Sequence, residues 1–126
     1  MMPDRLAIFV VDDDPVFAES PCAMLHGMGH GATMFENANA ARDGLSARQP
    51  DIVLLDCGLE GLSELTLRNR LQSRHPPIPV IIVSAPRWDA HHQIMRAYGA
   101  ADVLEKPVTA TELAGAITRA LTAESS

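Results

Sequence analysis

Short apolar runs recur along this chain at intervals long enough to hold a helix, and that alternation constrains the fold more than any single motif. The runs are Leu6-Ala7-Ile8-Phe9-Val10-Val11, Ala32 to Phe35, Ile52-Val53-Leu54-Leu55, Val80-Ile81-Ile82-Val83 and Val103-Leu104. Three of them are rich in Val and Ile and apolar on both faces, the pattern of strands in a parallel sheet covered on each side. The spacers predict helices. Asp14 is placed to cap the first, with Pro15 at its first position, and Phe17, Met24, Leu25 and Met28 recur at near-helical spacing before Gly29. Pro21 falls inside that helix, where it removes a backbone donor, so a kink is expected. Further helices are expected around Ala38–Ala47, Ser63–Arg74, Trp88–Tyr98 and Thr111–Thr122. Five strands alternating with five helices give an α/β domain with right-handed crossovers.

Length and composition narrow the function. At 126 residues the expectation is one domain, 1–126, with its core at about 6–121. The formal charge of −6 argues against direct nucleic-acid binding, which needs clustered Lys and Arg to displace phosphate counterions. No apolar run reaches the ~20 residues of a membrane span, and the first residues lack the apolar stretch of a signal peptide. Cys22 and Cys57 fit neither a zinc spacing nor a disulfide framework. A cytoplasmic location is expected.

In open α/β sheets the functional crevice lies beyond the carboxyl ends of the strands. The residues in those places are Asp12, Asp13 and Asp14 after the first run, Asp56 after the third, Ser84 after the fourth and Lys106 after the fifth. Converging carboxylates repel, and a cation relieves them. A hard divalent ion such as Mg²⁺ suits one or two carboxylates, water and a substrate phosphate. A lysine ammonium can pair with a carboxylate or a phosphoryl oxygen, and a serine hydroxyl can donate to another. Together these groups fit phosphoryl transfer, with an aspartate able to act as nucleophile. Singly, each has a plainer reading: the Asp12–Asp14 run could cap a helix, Asp56 could end a strand, and Lys106-Pro107 could be an ordinary loop. The ten basic residues are nine arginines and one lysine, and the lysine is Lys106.

The segments Val10-Val11-Asp12-Asp13-Asp14-Pro15, Val53-Leu54-Leu55-Asp56, Val80-Ile81-Ile82-Val83-Ser84-Ala85 and Leu104-Glu105-Lys106-Pro107 resemble the receiver domain of two-component response regulators, over about Leu6 to Leu121. The resemblance implies a flavodoxin-like, doubly wound sheet with strand order 2-1-3-4-5. It implies Asp56 as phosphoacceptor and Mg²⁺ held by Asp13, Asp56 and the backbone carbonyl of Gly58, with Asp12 acting directly or through water. Ser84 would be the switch hydroxyl, and Lys106 would neutralise the phosphoryl group. The implied donor is a histidine kinase or histidine phosphotransfer protein, and the output is contact with another protein. The only enzymatic activity implied is autocatalytic phosphotransfer and self-dephosphorylation.

Several positions depart from the family pattern. Glu60 and Glu64 stand in or near the loop where receivers usually carry Pro and Gly, and Val103 stands where most place a switching aromatic residue. Val108 replaces a common Phe, while Gly58 and Pro86 occupy places that tune hydrolysis. Cys57 reads as a small apolar residue, the adjacent His91 and His92 make a poor metal pair, and Trp88 and Tyr98 flank a possible output surface. Two other readings stay open at this point. One is a degenerate receiver that binds partners without phosphorylation. The other is a haloacid-dehalogenase-type phosphatase with Asp12 as nucleophile.

Overall fold

In the computed structural model, which describes residues 5–56, 62–74, 76–84 and 100–124, the apolar runs form one sheet. Its strands are β1 (Ala7–Val11), β2 (Gly31–Phe35), β3 (Ile52–Asp56), β4 (Val80–Ser84) and β5 (Asp102–Glu105). All neighbours are parallel, in the order β2-β1-β3-β4-β5. The sheet is the flavodoxin-like arrangement expected. β3 and β4 are buried at every residue, as continuous apolar strands must be when helices cover both faces, whereas edge strand β2 leaves Met34 half exposed.

Four helices lie among the described residues: α1 (Pro15–Gly27), α2 (Ala38–Gly44), α3 (Leu62–Gln72) and α4 (Ala110–Glu124). The helix expected at Trp88–Tyr98 falls outside those residues. The sheet separates two apolar clusters. Ile8, Val10, Leu54, Ile81 and Val83 pack with α1 and α4, while Phe9, Val11, Val53, Leu55 and Ile82 pack with α2 and α3. This is the alternation of side chains along a strand, read out on both faces.

Local chemistry fixes the helix ends. The Asp14 carboxylate accepts from the backbone N–H groups of Val16 and Phe17 at 3.0 and 3.2 Å, with Pro15 next to it. α1 runs on through Pro21 and closes at Gly29, whose φ of 93° lets the His30 N–H reach the Leu25 carbonyl. α2 ends at Gly44, three residues before the expected Ala47, because the chain tightens there. Leu45 donates to both Ala41 and Arg42, Ser46 to Asp43, and Arg48 to Gly44, so mixed three- and four-residue turns carry the helical spacing on in irregular form. A Cβ on Gly44 would stand 2.7 Å from the Phe35 ring, so only glycine permits this approach. α4 begins one residue early because Thr109 and Glu112 cap each other's backbone N–H at 3.1 Å. Its buried Leu113, Ala116, Ile117 and Ala120 follow helical spacing and face the sheet.

Candidate functional site

Strand register brings the candidate residues together. Val11 is level with Leu55, so Asp12 and Asp56 emerge side by side at the carboxyl ends of β1 and β3. Ser84 ends β4, fully buried and level with Glu105, and its carbonyl accepts from the Lys106 N–H at 2.8 Å. The Lys106-Pro107 peptide bond is cis.

One carboxylate oxygen from each of Asp12, Asp13 and Asp56 lies within 4.8 Å of the other two. Asp12 and Asp56 are buried and Asp13 is exposed, which leaves the cluster open to solvent on one side. Asp12 is held by the backbone: its N–H donates to the Phe35 carbonyl at 3.0 Å, and its Oδ1 accepts from the Asp14 N–H at 2.9 Å. Burial first, then the nearby Asp56 carboxylate, outweigh the lowering effects of the Asp14 N–H and the Lys106 ammonium and push the Asp12 carboxyl up to about 6. Lys106 Nζ lies 3.1 Å from Asp56 Oδ1. The same ammonium sits 4.1 Å from the centroid of the Phe17 ring.

One ammonium thus pairs with one of three clustered carboxylates, and the donor set is all hard oxygen with an open side for water and a phosphate. Such a cluster fits a small divalent cation such as Mg²⁺. Of the residues singled out in the sequence, Asp12, Asp13, Asp56 and Lys106 meet at this edge, and Ser84 ends the strand beside them. Gly58, Cys57, Glu60, Pro86, Trp88, His91, His92 and Tyr98 lie outside the described residues, as does the side chain of Glu64. Cys22 is a free, buried thiol whose burial raises its pKa. Sequence reasoning placed Phe17 only in the core periodicity of α1. The signal available was its position, three residues beyond the Asp14 cap at the same edge.

Residues 8–118 match the family model described as the response regulator receiver domain. The chain belongs to this family. Among curated proteins, this receiver is 34% identical over 122 residues to the DNA-binding transcriptional regulator NtrC of Salmonella typhimurium, covering 93% of this chain and 25% of that one. It is 30% identical to the transcriptional regulatory protein FixJ of Bradyrhizobium diazoefficiens, covering 90% of this chain and 56% of that protein. The receiver therefore spans about a quarter of the length of NtrC. Among solved structures, the receiver domain of NtrX from Brucella abortus superposes with a TM-score of 0.81 at 31% identity, over 91% of this chain and 98% of that one. Membership makes this chain a phosphorelay signalling domain and leaves the haloacid-dehalogenase reading without support. No helix among the described residues is long and apolar enough to cross a membrane.

Proposed function

We propose that this receiver is switched by phosphorylation of Asp56. The observation that carries the reading is the 3.1 Å approach of the single lysine to the Asp56 carboxylate, beside the Asp12 and Asp13 oxygens. Asp56 Oδ attacks the phosphorus of a phosphohistidine on a histidine kinase or phosphotransfer protein. The P–N bond breaks with its electron pair passing to the imidazole, and an acyl phosphate remains on the aspartate. Lys106 Nζ then pairs with a phosphoryl oxygen, and the Ser84 hydroxyl donates to another. Attack by water on the phosphorus returns the carboxylate and releases phosphate.

Asp12, Asp13, Asp56 and the Gly58 carbonyl would hold Mg²⁺, which when bound supplies positive charge against the phosphoryl oxygens. Asp12 must lose its proton to serve. The buried pair of acids beside one lysine favours such an ion, because a further cation relieves their repulsion while both stay ionised. The output is contact with a downstream protein that senses the phosphorylated arrangement, since a phosphoryl group shifts a two-state switch only by stabilising one state more than the other.

Incubation with Mg²⁺ and acetyl phosphate, followed by mass spectrometry, tests the reading. A gain of ~80 Da, one phosphoryl group, is expected on Asp56 and is expected to vanish in Asp56→Asn. Label on Asp12 instead, or none in the unmodified chain, overturns it.

A further inference from the structure

We propose that Phe17 is a positioning residue that holds the Lys106 ammonium at the phosphoacceptor. The proposal rests on the reading of Lys106 as the cation that meets the phosphoryl group. Two attractors hold Nζ: the Asp56 carboxylate at 3.1 Å and the Phe17 ring centroid at 4.1 Å. The distance to the ring is well inside the ~6 Å over which a ring face attracts an ammonium, and the lysine side chain is only 23% exposed, which lessens competition from water.

The two attractors differ in kind. A carboxylate oxygen fixes the ammonium in one direction. A ring face attracts it broadly, so the ammonium can turn from the carboxylate to a phosphoryl oxygen without leaving the ring. A cation already in place loses less freedom when the charge arrives, which is electrostatic preorganisation. Phe17 owes its own place to the cap: the Asp14 carboxylate takes the Phe17 N–H at 3.2 Å and so ties the first turn of α1 to the acidic run. The half-buried ring also borders a cavity of about 70 Å³ that Asp12, Asp56, Pro21, Pro107 and Val108 line with it.

Because Lys106 is the only lysine in the sequence, a protein labelled with ¹³C,¹⁵N-lysine gives one set of side-chain signals, assigned without further work. In the unmodified chain the Lys106 Hε resonances are expected upfield of an unstructured lysine, shifted by the ring current. That shift should disappear in Phe17→Leu and survive in Phe17→Tyr. With Mg²⁺ present, Phe17→Leu should bind beryllium fluoride about five-fold more weakly, the scale of one partly desolvated cation–π contact, while Phe17→Tyr stays within about two-fold of the unmodified chain. An unstructured-lysine spectrum in the unmodified protein overturns the proposal even if Phe17→Leu does not fold. Unchanged beryllium fluoride affinity in Phe17→Leu, alongside binding by the unmodified chain, overturns the positioning role alone. Absence of beryllium fluoride binding in the unmodified chain overturns the phosphoacceptor reading and the positioning role with it, and the Lys106 spectrum still reports whether the contact exists.

Discussion

Two buried aspartates in this receiver each face a cation, at opposite ends of the sheet. At the start of β5, Asp102 Oδ2 takes both Nε and Nη2 of Arg119 from α4 at 2.6 Å, and its Oδ1 accepts the Val103 N–H at 2.8 Å. At the end of β3, Asp56 meets the point charge of Lys106 at 3.1 Å, in company with two more carboxylates. The guanidinium fork satisfies its carboxylate and pins a helix to a strand. The ammonium neutralises one charge among three and stays able to change partner. The first pair is a joint of the fold, and the second is a site with charge left to bind.

Breaking each pair should therefore damage a different property. Arg119→Ala leaves Asp102 buried without its guanidinium, and it should lower unfolding free energy by about 2–3 kcal/mol, somewhat less than for a fully buried pair because the arginine is itself largely exposed. Urea unfolding measures this, and acetyl phosphate labelling of the folded variant should keep its unmodified rate. A variant that keeps its stability would remove the distinction between the two pairs.

Lys106→Arg keeps the charge but changes its reach and geometry. It should slow labelling of Asp56 about ten-fold, roughly 1.4 kcal/mol in the barrier, with a near-normal urea midpoint. Replacement of an exposed arginine such as Arg48 should leave labelling unchanged. Normal labelling in Lys106→Arg would mean that the ammonium is not specifically required.

A smaller effect, of opposite sign, is expected from Asp12→Asn. Removing one of three crowded carboxylates should raise the unfolding free energy of the Mg²⁺-free protein at pH 7, read from urea unfolding, by no more than about 1 kcal/mol after solvent screening. The same variant should lose the stabilisation that Mg²⁺ gives the unmodified chain.

The pH dependence follows from the raised Asp12 carboxyl and is the subtlest test. Between its ordinary value of 3.8 and about 6, the native state binds more protons than the unfolded state. Stability from this group is therefore full below about pH 4 and is lost as pH rises through about 6. The advantage of Asp12→Asn over the unmodified chain should accordingly fade as pH falls toward 4, while Mg²⁺ affinity of the unmodified chain should rise with pH through about 6. An advantage independent of pH would show that Asp12 ionises normally.

The strands were legible to within a residue or so because a parallel sheet buried on both faces demands uninterrupted Val, Ile and Leu, and such runs have few other uses. β5 is the exception: it extends from Asp102 to Glu105, two polar ends that apolar patterning could not include. The Asp14 cap was legible because it needs only neighbouring residues. The Thr109–Glu112 cap carried the same kind of local signal, four residues long, and went unread. The Arg119–Asp102 joint had no local signal, since its members are 17 residues apart and lie on different elements.

By itself, the sequence determined which residues end strands, and with that the edge at which Asp12, Asp13, Asp56, Ser84 and Lys106 gather, because alternation and strand polarity are written in local pattern. Only the tertiary structure decided how their charges are divided: which carboxylate takes the lysine, which is pushed toward its protonated form, and which aromatic ring stands over the ammonium. Those outcomes depend on distances between residues remote in the chain and on how deeply each is buried. Coulombic and desolvation energies change steeply with both, and linear order encodes neither.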